Sequence, residues 1–253
     1  MVCSLLVCRT APGQNAPAEN IKTNAVKQYL TDAQQLAHAR KFAEALQALG
    51  KAAVLEPNNE TVLNEQFRMC MELNQIDEGL KICDKLIELN PSDPQRWLVK
   101  AMAAAESGRM DEALQAFDKL TQLQPGEAGN WVGTGEALDA LKRHQEALKA
   151  FDKAITLNPK HEAAWDNRGG VLLGLGQYDE AIKSLDKAIE LRPQWEEPWY
   201  NRACAYSLKG DKAKAIADLK KALELKPSLK SNASTESDFK SLRNDPDFKK
   251  LGE

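Results

Sequence analysis

The stretch WDNRGGVLLGLGQYDEAIKSLDKAIELRP, residues 165–193, holds two amphipathic helices and the turn that joins them. Trp165, Gly169 and Leu172 are spaced by four and then three residues, and Ala181, Leu185 and Ala188 repeat that spacing. Side chains spaced in this way share one face of a helix. Gly176, followed by Gln177, falls where the first helix would end in a left-handed cap, and Pro193 falls where the second must stop. Proline lacks an amide proton and disfavours helical geometry in the residue before it.

Outward from this stretch the pattern recurs at a fixed step. Pro57, Pro91, Pro125, Pro159, Pro193 and Pro227 are each 34 residues apart. With proline near 5% of average sequence, five such coincidences from one starting point arise roughly once in a few million trials. The same step carries Ala45 to Gly79, Ala113, Ala147, Ala181 and Ala215, and no insertion breaks the register. Gly108 and Gly210 occupy the turn position of Gly176. Small residues at Ala101, Gly135, Gly169 and Ala203 mark where backbones approach, and Trp97, Trp131, Trp165 and Trp199 are expected to supply the largest buried areas. Helix pairs this short cannot bury both faces alone, so each must stack on its neighbours.

The 34-residue step, with Trp, Gly or Ala, Tyr or Leu, then Ala, Phe and a closing Pro, resembles the tetratricopeptide repeat, most plainly in Trp131 to Pro159 and Trp165 to Pro193. The resemblance covers six units: 26–59, 60–93, 94–127, 128–161, 162–195 and 196–229. It implies an all-α fold, a right-handed α-solenoid of six helix-turn-helix repeats. The first helix of each unit would line a concave groove that binds peptides or partner proteins. The first unit departs from the pattern, with Asp32 at a usually apolar position and no glycine at the turn, and reads as a solvated end cap.

Residues 1–25 read as a disordered lead-in, and 230–253 as a helical cap. The segment Asp238 to Phe248 looks like the closing segment of many prokaryotic members of the family. Phe239 and Leu242, then Phe248 and Leu251, are each three apart, so two short helices would lay apolar stripes over the last unit. Asn244 and Asp245 would cap the second, with Pro246 in its first turn.

Composition narrows the function. A net charge of -3 leaves no broad basic field for a nucleic acid, and no run of about 18 apolar residues is present to cross a bilayer. The cysteines, Cys3, Cys8, Cys70, Cys83 and Cys204, are odd in number and scattered, which fits neither a disulfide scaffold nor a zinc site. A reducing compartment follows, so the chain is expected to be cytoplasmic. Export is the alternative if Met1 to Cys8 is the remnant of a signal peptide. Cys70 and Cys83 fall at the core positions of Leu172 and Leu185, and a bond between them would need an oxidising compartment. His38, His144 and His161 lack metal-ligand spacing, and the glycines at 133, 135, 169, 170 and 176 follow no strand and read as packing residues. No catalytic residue, metal ligand or cofactor is expected.

The expected role is therefore a non-catalytic scaffold or adaptor, with an accessory subunit of an enzyme complex as the alternative. If Trp97, Ala101 and Ala104 face the core, then Leu98, Met102 and Glu106 face the groove that the resemblance implies. Carried through the units, this face holds Lys27 and Arg68 against Glu65, Glu72, Glu106, Glu136, Asp139, Asp166 and Glu197, a net of -5. Leu98, Met102, Val132, Leu173 and Tyr200 lie between as an apolar floor. Asn167 and Asn201 add amides able to hold an extended peptide. The pattern predicts a basic, partly apolar protein segment as partner and opposes an acidic tail or an RNA.

Overall fold

The computed structural model of the chain describes residues 16–252. Twelve helices follow one another as six helix-turn-helix steps: α1 (Ala16–His38) then α2 (Phe42–Leu55), α3 (Glu60–Glu72) then α4 (Ile76–Leu89), α5 (Pro94–Glu106) then α6 (Met110–Leu123), α7 (Ala128–Ala140) then α8 (His144–Leu157), α9 (Glu162–Gly174) then α10 (Tyr178–Leu191), and α11 (Glu196–Lys209) then α12 (Lys212–Leu225). The closing segment adds a 3-10 turn (Pro227–Leu229), α13 (Lys230–Thr235), a second 3-10 turn (Ser237–Leu242) and α14 (Pro246–Gly252). Residues 16–25, read from sequence as part of an irregular lead-in, belong to α1; the rest of that lead-in lies outside the described residues. The irregular reading followed the prolines and glycine at 12–17, but the residues beyond them hold no helix breaker.

Each turn inside a pair has one residue with positive φ, at 40, 74, 108, 142, 176 and 210, so the 34-residue step holds in the backbone as well. Gly108, Gly176 and Gly210 fill three of these positions; Arg40 (φ 58°), Asn74 (φ 55°) and Lys142 (φ 62°) fill the others. The following amide closes the turn on the carbonyl five residues back, as in Arg143 N–H to Leu138 (2.9 Å) and Gln177 N–H to Leu172 (2.9 Å). This is the Schellman closure of a helix C-terminus. A side chain in the left-handed region costs about 1 to 2 kcal/mol, offset in part by the greater flexibility of unfolded glycine. Lys142→Gly is therefore expected to stabilise the fold by about 0.5 to 1 kcal/mol, measurable by chemical denaturation. A loss of stability would show that the lysine side chain itself holds the turn.

Each second helix ends ahead of the recurring proline. Glu56, Asn90, Gln124, Asn158, Arg192 and Lys226 take φ between -131° and -148° with ψ between 68° and 92°. The proline ring pushes the preceding residue out of helical geometry in this way. The indole N–H groups of Trp97, Trp131, Trp165 and Trp199 then donate to the carbonyls of Pro91, Pro125, Pro159 and Pro193, at 2.8 to 3.2 Å. These tryptophans are partly buried. The indole N–H finds its partner at the loop, which sets each ring at the edge of the packing with its N–H turned to the preceding proline. The large side chains that are fully buried include Phe151, Phe239, Leu49, Leu63, Met69, Leu120, Leu185, Leu219 and Leu242.

The small residues explain how the helices meet. Ala45, Ala113, Ala147, Ala181 and Ala215 are wholly buried. A Cβ on Gly135 would stand 2.5 Å from the Phe151 ring and one on Gly169 would stand 2.6 Å from Leu185, so both positions need glycine for packing. Phosphate loops are not formed there. Cys70, Cys83 and Cys204 are buried and free, and burial pushes the Cys83 thiol up to about 12.

The chain divides between Ala103 and Ala104 into two compact units. In the first, α1 packs on α2 through Val26, Ala33, Ala37, Ala45, Leu49 and Ala52. Asp32 is half-buried and accepts a hydrogen bond from Gln28 at 2.8 Å. In the second, α11 and α12 close on the terminal segment through Ala203, Cys204, Leu219, Leu223, Phe239 and Leu242. Asp245 Oδ1 accepts the amides of Asp247 (2.9 Å) and Phe248 (3.5 Å), the capping expected ahead of Pro246.

Candidate functional site: an acidic pocket on the second unit

In the second unit α9 packs against both α7 and α11, so the first helices of three successive pairs lie side by side. Their shared face holds a pocket of about 230 Å³ lined by Glu136, Asp139, Ala140, Phe151, Asp166, Asn167, Gly170, Val171 and Asn201. Five of the residues read from sequence as groove residues thus come together: Glu136, Asp139, Asp166, Asn167 and Asn201. Phe151 and Val171 supply an apolar floor that the one-face reading missed, because Phe151 arrives from the second helix α8. Gly170 leaves open space beside them, with nothing within 4 Å of where its Cβ would be.

The polar groups are bonded along the row. Asn167 Nδ2 donates to Glu136 Oε1 at 2.7 Å, Asn201 Nδ2 donates to Asp166 Oδ1 at 3.1 Å, and His144 Nδ1 lies 2.7 Å from Asp139 Oδ1. Both asparagine amide nitrogens are therefore engaged by acids of the preceding first helix, where the sequence reading held the amides ready for a peptide backbone. Their carbonyl oxygens remain as acceptors. Asp166 is 6% exposed. Burial pushes its carboxyl up to about 6; the Asn201 hydrogen bond opposes the shift and the nearby Glu197 charge adds to it.

The other expected groove residues fall elsewhere. Val132 is buried in the packing of α7, and Leu173 is half-buried against the closing cluster. Tyr200 is not an open floor residue: its ring meets Phe239 edge-on with centroids 5.5 Å apart, and burial raises the pKa of its hydroxyl. That hydroxyl and Glu197 Oε2 are shut from solvent and have no hydrogen-bond partner among the described residues. Glu197 Oε1 lies 3.5 Å from Lys226 Nζ. Glu106 is exposed at the end of α5. Leu98 and Met102 belong to the first unit, Leu98 half-buried and Met102 50% exposed.

Among the described residues no group of three His, Cys, Asp or Glu converges closely enough to hold a metal ion, and no helix is long and apolar enough to cross a membrane. Helix pairs at a constant step, closed by the same turn and joined through the same small residues, define an all-α helical-repeat solenoid, a scaffold for protein–protein interaction. Models of the tetratricopeptide repeat match residues 70–128, 104–167 and 197–229, and a TPR repeat model matches 171–210. The chain belongs to the tetratricopeptide repeat family, whose members are typically non-catalytic.

Solved structures agree on the fold. A tetratricopeptide repeat protein from Parabacteroides merdae is 19% identical, covers 90% of this chain and 98% of its own, and has a TM-score of 0.65. MamA from Desulfovibrio magneticus is 20% identical, covers 67% and 96%, and has a TM-score of 0.57. YrrB, a TPR protein with an unusual peptide-binding site, is 22% identical, covers 72% and 94%, and has a TM-score of 0.55. No curated protein matches the sequence.

Proposed function

We propose that this protein is a non-catalytic adaptor that binds an extended, basic and partly apolar segment of a partner protein on the face shared by α7, α9 and α11. The observation that carries this reading is the pocket itself, in which neither Glu136 nor Asp166 has an ion-pair partner among the described residues. A concavity with an apolar floor and uncompensated acids is complementary to a cationic, apolar segment. The peptide-binding site of YrrB, on a related fold, is consistent with it.

A random peptide library displayed on phage tests the reading without a known partner. Selected peptides should be rich in Lys and Arg beside Leu, Met or Phe. Glu136→Lys with Asp139→Lys should slow their association roughly tenfold or more at low salt and change dissociation less. Raising salt should weaken wild-type binding, because the Debye length shrinks from about 10 Å at 0.1 M to about 3 Å at 1 M. Enrichment of acidic peptides, or equal binding by the double variant, would refute the proposal.

A further inference from the structure

Two aspartates of the second unit, Asp166 and Asp218, are equally buried at 6% exposure and differ sharply in their surroundings. Asp218 receives a two-pronged bond from Arg202, Nε to Oδ2 at 2.6 Å and Nη2 to Oδ1 at 2.8 Å. Asp166 has only the Asn201 amide on Oδ1, and Oδ2 accepts nothing from the described residues. Facing it are Glu136 and Asp139 from α7 and Glu197 from α11; His144 is taken up by Asp139, and Lys226 by Glu196 and Glu197. A buried carboxylate without a cation is costly to ionise unless a cation is supplied. Here the carboxylate opens onto a pocket rather than onto packed side chains.

We propose that the pocket takes one lysine ammonium or arginine guanidinium from the bound segment, with Asp166 as its counter-ion and Glu136 and Asp139 at the mouth. The inference rests on the groove reading above. A bare metal ion is disfavoured, because the carboxylates do not converge within coordination distance of one point. A long cationic side chain spans them instead: its methylenes lie on Phe151 and Val171, and its donors reach carboxylates on neighbouring helices. Binding a cation favours the ionised form of Asp166, so affinity is linked to pH. With Asp166 titrating at about 6, only about a tenth of free protein is ionised near pH 5.

The test uses the full chain and two fluorescent probes, acetyl-Leu-Arg-Leu-amide and the same peptide with uncharged citrulline. Affinity is read by anisotropy, and location by the amide signals of Gly170, Asn167 and Asn201. The arginine peptide should bind at least tenfold more tightly than the citrulline peptide near pH 7.5 and lose roughly tenfold near pH 5, with shifts at those three residues. Asp166→Asn, which keeps an oxygen for Asn201, should abolish both the preference and the pH dependence. Glu136→Gln, on an exposed side chain, should weaken arginine binding about threefold while leaving the fold intact. If both peptides bind the pocket equally, the groove reading stands and the counter-ion proposal fails. If neither shifts the pocket signals, the groove reading fails and takes the proposal with it. Displacement of the arginine peptide by calcium or by spermidine would overturn the assignment in favour of a free cation.

Discussion

Phe239→Ala is expected to cost about 3 to 5 kcal/mol, the largest loss of any single truncation in the closing segment. Phe239 is fully buried, meets Tyr200 edge-on, and lies 5.9 Å between centroids from Phe248. Cys204, Leu219 and Leu242 belong to the same cluster. The segment is further tied down by Ser207 Oγ, which donates to the Asp238 carbonyl at 2.6 Å, and by Arg243, which donates to the Thr235 and Glu236 carbonyls. In an array whose units depend on their neighbours, the loss should appear first as opening of α11 and α12 rather than of the whole chain. Denaturation with site-resolved hydrogen exchange measures both amount and place. A change below about 1 kcal/mol would show that the segment is a loosely held tail. The packing also means that Tyr200→Ala would disturb the cap and cannot serve as a clean groove variant.

Asp166→Asn is expected to act in the opposite direction. The folded state raises the carboxyl from 3.8 to about 6, so folding is unimpaired below pH 4, weakens as the pH climbs from 4 to 6, and stays weakened above. A shift of about two units corresponds to about 3 kcal/mol. Asparagine fits the same space, keeps a bond with Asn201 and does not titrate. The variant should therefore be more stable than the parent by up to about 3 kcal/mol near pH 7.5, with the gain fading toward pH 4. Melting curves across that range decide it. A variant less stable than the parent at neutral pH would show that the carboxylate serves the fold rather than a ligand.

Much of this architecture could be read from spacing. Proline, alanine and glycine at a constant step set the helix pairs, because each has one strong backbone or steric consequence that tolerates few substitutes. The left-handed turns at Arg40 and Lys142 are not legible from those residue types; asparagine enters that region more readily, as at Asn74, and the step shared with Gly108, Gly176 and Gly210 points to all three. The size of the tryptophans points to packing, and the constant six-residue gap between each proline and tryptophan carries a second signal that size does not, a repeated indole-to-carbonyl bond.

The candidate site was legible on one helix face at a time. Glu136 with Asp139, and Asp166 with Asn167, were placed by helical period, and stacking brought them into one pocket with Asn201. Val132 lies where that period cannot separate the pocket face from the core. Tyr200 depended on where the closing segment docks, and Phe151 on the partner helix. Neither follows from the spacing of first-helix residues alone. The burial of Asp166 was also invisible, since an aspartate on an otherwise polar face reads as solvated.

Hydrogen exchange on the complex with a library-selected peptide tests the account most directly. Slowed exchange is predicted in α7, α9 and α11, centred on residues 136–140 and 166–171, with α8, α10 and α12 unchanged on their outer faces. Protection confined to the outer faces of α8, α10 and α12, with residues 166–171 unaffected, would contradict it.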